Sequence, residues 1–188
     1  MSKTSDKVSF TAMEYGTQAD YDLVCAHDAS VVAGQADRVL EWLNAMDGDS
    51  PHQISRLGHS LQTATRAERD GADDETIFCA LLHDIGEILA PANHSQAAAA
   101  LVAPYVSRKN HWIIKHHGLF QGYYYFQYIG ADPNARDQFR DHEYFEACAD
   151  FCARWDQTSF DPVYKTQHLK HFEPLVRQIF AREPGTFY

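Results

Sequence analysis

Apolar residues recur every three or four positions along most of this chain, which is the spacing of amphipathic α-helices. The segment from His52 to Asp70 shows this clearly, because its apolar residues share one helical face and Gly71 follows as a stop signal. Ser30 and Ser107 are candidate N-caps. Helices are predicted at residues 30–45, 52–70, 74–89, 94–104, 107–118, 143–157 and 169–181. Few segments show the alternation typical of strands, so the chain is predicted to be all-α.

The same pattern predicts how the chain is divided. Residues 1–28 have weak periodicity and are predicted to be an N-terminal extension, flexible over its first ten or so residues. Residues 29–188 are predicted to form a single domain, because a chain of 188 residues can bury a sizeable core without a disulfide or metal staple.

The composition is that of an ordinary soluble protein, with 45% hydrophobic and 22% charged residues. A formal net charge of −10 and the lack of a basic stripe argue against nucleic acid or an anionic membrane surface as a partner. No apolar run approaches the length of a bilayer-spanning helix, and the polar N-terminus does not resemble a signal peptide. A cytoplasmic protein with a small-molecule partner is therefore expected.

The four cysteines are Cys25, Cys79, Cys148 and Cys152. None of them forms a Cys-x-x-Cys pair, so a structural zinc knuckle is not predicted. Cys148 and Cys152 are one helical turn apart, and we interpret them as small apolar side chains on a buried helix face.

The strongest chemical signal is the adjacent pair His83-Asp84, which follows the apolar run from Phe78 to Leu82. Neighbouring residues on a helix point about 100° apart. One side chain can therefore serve one metal ion while the other reaches a second, and a carboxylate has two oxygens with which to bridge. An unpaired Asp at the end of an apolar run is costly to bury, and a bound metal removes that cost. The pair therefore predicts a metal centre.

Other histidines and a carboxylate complete an ordered series around this pair. His59 precedes it, His94 follows it, and Asp156 lies on a late helix. One of the neighbours His116 and His117 belongs to the series, and the residues alone leave that choice open. Each residue taken singly has a plainer explanation, as a core histidine or a helix-end ion pair, but the ordered set favours two metal ions. Imidazole and carboxylate suit iron, manganese, zinc or nickel, and the lack of cysteine disfavours a purely structural zinc.

The order His, His-Asp, Asp resembles the pattern of the HD-domain superfamily, which implies an HD-domain helical bundle. Residues 58–64 (Gly-His-Ser-Leu-Gln-Thr-Ala) and 80–86 (Ala-Leu-Leu-His-Asp-Ile-Gly) are similar to a narrower branch, the mixed-valent diiron oxygenases. That branch includes myo-inositol oxygenase and the organophosphonate oxygenases of the PhnZ type. The similarity covers roughly residues 50–160.

The resemblance implies a ligand set and a reaction. It implies that His59, His83, Asp84 and Asp156 bind one iron, and that His94 and His117 bind a second iron with Asp84 bridging. His83 and Asp84 are then the catalytic pair. An Fe(II)/Fe(III) pair activates O2 in this branch, and a C–C or C–P bond next to a hydroxyl-bearing carbon is cleaved without an external reductant.

Two positions depart from the phosphonate-cleaving members. Those members usually carry a histidine four residues after the HD histidine and a lysine four residues after the last histidine ligand; this chain has Glu87 and Gln121 there. Both changes remove groups suited to a phosphonate. We expect Glu87 and Gln121 to contact the substrate, with Arg154 or Arg56 as the compensating cation.

An aromatic run at residues 120–128 follows the last histidine ligand. Aromatic faces attract cations, above all quaternary ammonium groups. Tyr124 and Tyr125 are therefore expected to bind a small hydroxylated substrate with an amino or quaternary ammonium head. The plainer alternative is that these rings pack in the core or in a lid.

Two other functions compete with the oxygenase. One is a metal-dependent phosphohydrolase acting on a nucleotide or phosphate monoester, with manganese or another divalent ion that generates hydroxide. The other is a non-catalytic binding domain that kept the fold, which predicts no bound metal.

Overall fold

The structure is a computed structural model and describes residues 7–185. Within this range it has eight α-helices and no β-strand, so the prediction of an all-α fold is confirmed. The helices are Gln18–Ala33 (α1), Gln35–Ala45 (α2), Arg56–Arg69 (α3), Asp74–Leu82 (α4), His94–Val102 (α5), Arg108–Gln121 (α6), Phe145–Phe151 (α7) and Leu169–Phe180 (α8). No helix within residues 7–185 is both long enough and apolar enough to cross a membrane.

Helix α4 lies at the centre of the bundle, where it packs against α3, α6 and α8. All of its residues from Ile77 to Leu82 are buried, which explains why its apolar residues form a continuous run rather than a stripe. Phe78 is fully buried among them. Truncating a core phenylalanine to alanine typically costs about 3–5 kcal/mol. Because α4 is held by such packing, the positions of His83 and Asp84 at its C-terminal end are fixed.

Helix α4 ends at Leu82, seven residues before the predicted end at Leu89. The chain then tightens into a 3₁₀ turn at Ile85–Ile88. This turn runs against the start of α5 so closely that a Cβ on Gly86 would collide with the backbone carbonyl of His94. The close approach requires glycine, and it brings the end of α4 beside the start of α5.

Helix α3 begins at Arg56, four residues later than predicted. Ser55 is its N-cap, because the Ser55 hydroxyl accepts a hydrogen bond from the backbone N–H of Gly58. It ends at Arg69, and Asp70 caps it before Gly71, which lies in the left-handed region with φ of 76°. This register places His59 on the buried face of the helix.

The N-terminal part of the fold differs from its prediction. Ser30 lies inside α1 and is not an N-cap, and the break between α1 and α2 falls at Gly34. The boundary predicted between residues 28 and 29 therefore falls inside α1. Residues 1–6, where flexibility was predicted, lie outside the described residues.

Helix α7 continues directly into a π-helical turn at Cys152–Asp156. The predicted helix at 143–157 is therefore a short α-helix followed by a wider turn, which offsets the side chains after Phe151 from an α-helical register. Cys148 and Cys152 are fully buried, as their interpretation as core side chains requires.

Candidate metal centre

Six side chains converge where α3, α4, α5, α6 and the π-helical turn meet. They are His59 on α3, His83 and Asp84 at the end of α4, His94 at the start of α5, His117 on α6 and Asp156 in the π-helical turn. All are buried except His94, whose side chain is 26% exposed. The fold thus brings together residues that are up to 97 positions apart in sequence, from His59 to Asp156.

One half of the cluster is formed by two imidazoles and a carboxylate. His59 Nε2 lies 3.2 Å from Asp156 Oδ1, and His83 Nε2 lies 3.6 Å from the same oxygen. The two Nε2 atoms are 3.0 Å apart. Three donor atoms within this space could hold one metal ion.

Asp84 joins this half of the cluster to the other. Its Oδ2 lies 3.6 Å from Nε2 of both His59 and His83. Its Oδ1 faces the opposite way, 3.2 Å from His117 Nε2 and 3.5 Å from His94 Nε2. Each carboxylate oxygen therefore faces its own pair of histidines, which is the arrangement that a carboxylate bridging two metal ions requires.

Three of the four imidazoles are oriented by backbone carbonyls. His59 Nδ1 lies 2.8 Å from the carbonyl oxygen of Ser159, and His83 Nδ1 lies 2.8 Å from that of Ala80. His117 Nδ1 lies 2.7 Å from a carbonyl oxygen on its own helix. A carbonyl can only accept, so each Nδ1 donates its proton outward, which leaves Nε2 as the atom that can bind a metal once its own proton is lost. Histidines that bind metals are held in this way.

The electrostatics of the cluster favour added positive charge. Burial raises the pKa of Asp84 and Asp156, but His83 and the other imidazoles outweigh it and hold both values below the usual range. Burial lowers the pKa of His59 and His83, but the two carboxylates outweigh it and leave both values raised. The carboxylates are thus ionised in a buried space, which divalent metal ions suit.

A cavity of about 460 Å³ opens onto this cluster. Besides the metal-ligand candidates, its lining consists of His52, Arg56, Glu87, Gly118, Gln121, Tyr124, Tyr125, Gln157 and Phe160. Four of the predicted substrate contacts are therefore at the cavity, namely Glu87, Gln121, Tyr124 and Tyr125. The cavity is large enough for a small organic molecule.

Arg154 does not line this cavity. Its guanidinium group pairs with Asp70 at 2.8 Å and with Asp150 at 3.1 Å on an exposed surface. The arginine at the cavity is Arg56, whose Nη1 lies 3.1 Å from Glu87 Oε1. It is the one lysine or arginine in the lining formed by the described residues.

Gln121 contacts the cluster directly. Its Nε2 donates a hydrogen bond to Asp156 Oδ1 at 3.0 Å. Because a carboxylate oxygen can only accept, the amide orientation is fixed and Oε1 points elsewhere. Oε1 is buried and has no hydrogen-bond partner, which costs about 1–3 kcal/mol until a donor reaches it.

The geometry distinguishes the neighbours His116 and His117, between which the residues alone left the choice open. His117 lies in the cluster, whereas His116 stacks on Trp112 with ring centroids 4.2 Å apart. The Nδ1 of His116 also lies 2.8 Å from the Trp112 carbonyl oxygen. The helical period alone separates the two side chains by about 100°.

Sequence reasoning missed the aromatic wall of the site. Phe160 stacks on His59 with ring centroids 4.4 Å apart, and His52 lies against Phe160 at 4.9 Å. Both residues flank helices rather than lie on them, so helical periodicity gave no signal. Two glycines were also missed, Gly86 and Gly118, although glycine inside a helical pattern is a known sign of close packing.

The comparison with family models gives one match. Residues 56–160, more than half of the chain, match the model described as HD domain. The range contains all six clustered side chains, and proteins with this domain are typically metal-dependent. A comparison with curated proteins finds no match. The prediction of an HD domain is thus confirmed, and this chain belongs to the HD-domain family.

Proposed function

We propose that this protein is a dinuclear iron oxygenase that cleaves a C–C or C–P bond beside a hydroxyl-bearing carbon of a small substrate. The observation that carries the proposal is the division of Asp84 between two pairs of histidines, at 3.6 Å on one side and at 3.2–3.5 Å on the other. A mononuclear site needs only one such pair. The similarity of residues 58–64 and 80–86 to the diiron oxygenase branch supports iron as the metal.

The donor set fits two metal ions with different numbers of protein ligands. His59, His83, Asp84 and Asp156 would hold the first ion, and His94, His117 and Asp84 would hold the second. Six-coordinate metals would then keep open positions for substrate and O2. When bound, a mixed-valent iron pair would supply O2 activation without an external reductant.

The chain's own residues would orient the substrate. The unpartnered Oε1 of Gln121 requires a donor, and a substrate hydroxyl can supply one. Because Gln121 also donates to Asp156, a hydroxyl bound there would lie beside a ligand of the first metal. This is the position that a substrate coordinated through its hydroxyl group would take.

The tyrosines support a cationic head on the substrate. Burial and the charges of Asp156 and Asp84 raise the pKa of Tyr125, so its phenol stays neutral over the physiological range. A neutral ring at the cavity can face an ammonium group. If Tyr124→Leu and Tyr125→Leu leave the affinity for hydroxylated amines unchanged, the cationic-head proposal is wrong.

Electron paramagnetic resonance on iron-loaded, partly oxidised protein tests the proposal, with iron counted on the same sample. We expect about two irons per chain, the number that the six ligands imply, and a coupled Fe(II)/Fe(III) signal. Tyr124→Phe is the matched variant, since it alters the cavity but no proposed ligand and should keep the signal. One iron per chain, or two that never form the mixed-valent state, would contradict the proposal.

The second candidate is a metal-dependent phosphohydrolase, and Arg56 is the observation that favours it. Its guanidinium group lines the cavity, and arginine suits a phosphate group. Against it, Arg56 is already paired with Glu87. Phosphate release with manganese in the absence of O2, from nucleotides or phosphate monoesters, would favour this candidate.

A further inference from the structure

We propose that Glu87 is a positioning residue for His94, and that it controls how tightly the second metal ion is held. The inference rests on the proposed dinuclear centre. The sequence predicted that Glu87 contacts the substrate. The inference instead gives Glu87 a role at the outer side of the His94 imidazole.

The first observation is that His94 is anchored differently from the other three histidines. The Nδ1 atoms of His59, His83 and His117 have backbone carbonyl oxygens within 2.7–2.8 Å. The nearest backbone carbonyl to His94 Nδ1 is that of Pro91, at 3.4 Å. This neutral contact is longer than the other three, so a charged partner at the same Nδ1 has more influence on the orientation of the ring.

The second observation is that a carboxylate lies on the same side of this ring. Glu87 Oε1 is 3.5 Å from His94 Nδ1, while His94 Nε2 faces Asp84 on the opposite side. The side chain of Glu87 is only 14% exposed, so water weakens the contact less than at a surface. An imidazole between a carboxylate and a metal is a recurring arrangement that fixes ring orientation and increases ligand basicity.

The third observation is that Glu87 is itself held from both directions. Arg56 Nη1 contacts the same Oε1 at 3.1 Å. The turn that carries Glu87 is fixed against α5, because Gly86 allows the backbone of His94 to approach it. Arg56, Glu87 and His94 therefore form a connected series from the cavity to the second metal position.

The series predicts that the two metal affinities respond differently to Glu87. Loss of an outer-shell partner typically lowers metal affinity 10–100-fold. We expect Glu87→Gln to weaken the second metal within that range and leave the first unchanged. Glu87→Asp, which keeps the charge on a shorter side chain, should recover part of the loss.

The experiment is an anaerobic Fe(II) titration of the full-length metal-free protein by equilibrium dialysis. Wild type, Glu87→Gln and Glu87→Asp are compared with Glu41→Gln, the same change at an exposed carboxylate on α2. Circular dichroism melting checks that the variants fold alike. The Fe(II)/Fe(III) potential of each two-iron sample is the second readout, and it should rise in Glu87→Gln because a less basic imidazole stabilises Fe(III) less.

The outcomes separate this inference from the proposed function. If wild type binds a single iron, the dinuclear proposal fails and this inference fails with it. If wild type binds two irons and Glu87→Gln binds both with unchanged affinities and potential, only the role of Glu87 is wrong. Complete loss of the second iron in both Glu87 variants would make Glu87 a direct ligand and would also overturn the positioning role.

Discussion

The two halves of the proposed metal centre differ in how the protein holds their ligands. His59 and His83 are buried, lie on two helices that pack together, and are anchored by backbone carbonyls at 2.8 Å. His94 is partly exposed and follows two 3₁₀ turns, and its nearest anchors are 3.4–3.5 Å away. His117 is as well anchored as the first pair, so the difference is concentrated in one ligand.

This difference indicates a division of roles. A fully enclosed ligand set suits a metal that stays bound, because its ligands cannot move apart without disturbing the core. A metal with one exposed, loosely anchored ligand suits exchange. The second metal should therefore exchange more readily than the first, and variants of the two halves should behave differently.

His83→Ala should have the largest effect. It removes a fully buried imidazole that faces both Asp84 and Asp156, and removing one partner of a buried charged pair typically costs about 3–5 kcal/mol. We expect loss of both metals and a decrease of that order in the free energy of unfolding. Elemental analysis and urea unfolding measure the two effects.

His116→Ala is the matched control for that variant, because His116 lies outside the cluster. It should keep both metals. If His83→Ala retains two metals, the assignment of the enclosed half is wrong.

His94→Ala should have an intermediate effect, restricted to one metal. Its side chain is 26% exposed, so we expect its truncation to lie at the low end of the range of about 0.5–3 kcal/mol that most single substitutions cost. We expect one tightly bound metal to remain and O2-dependent activity to be lost. Loss of both metals in this variant would erase the distinction between the halves.

The stability of the metal-free protein should depend on pH, because protons can take the place of metal ions in the enclosed half. The pKa values of His59 and His83 are raised in the fold, so their protonated forms stabilise it. That contribution is complete below the ordinary value of 6.5 and is lost as the pH rises through the raised values. The lowered pKa values of Asp84 and Asp156 contribute above the ordinary value of 3.8, and this part is lost only in acid.

Urea unfolding at about pH 6 and about pH 8.5 measures this effect in metal-free and metal-loaded protein. The metal-free protein should be less stable at the higher pH. The loaded protein should not lose this contribution, because metal binding replaces the protons and strengthens as the ligands deprotonate. An equal loss in both samples would show that the raised pKa values do not govern stability here.

The sequence predicted the helical core from local rules, whereas the ligand set came from the ordered series of His and Asp residues and its resemblance to the HD-domain pattern. A buried helix such as α4 needs an apolar run of residues. Asp73 and Ser107 act as N-caps, because their side chains accept hydrogen bonds from the backbone N–H groups three residues later. Such signals lie within one turn of the residue that they concern.

The contacts of the cavity were harder to predict because they depend on distant parts of the chain. Arg154 pairs with Asp70, which also accepts a hydrogen bond from Trp155, and nothing near Arg154 in sequence indicates that partner. Arg56, which lines the cavity, is the first residue of α3, a start that the sequence predicted four residues earlier. Phe160 covers His59 from a segment after the π-helical turn, whose offset is not visible in the hydrophobic pattern.

Gly118→Ala should have the smallest effect on metal binding and gives the sharpest test of the exposed half. A Cβ there would lie 2.7 Å from Ser95 Oγ and 3.4 Å from His94 Nε2, so either the Ser95 hydroxyl must rotate away or the start of α5 must shift slightly. Overpacking costs about 1–3 kcal/mol, and the better helix propensity of alanine returns up to about 1 kcal/mol. We therefore expect a small loss of stability and a several-fold lower affinity for the second metal, with the affinity for the first metal unchanged.

Gly48→Ala is the control, because a Cβ there meets nothing within 4 Å. Equal weakening of both metals in the Fe(II) titration would mean that the halves are mechanically coupled, since a displacement confined to His94 cannot reach the enclosed ligands.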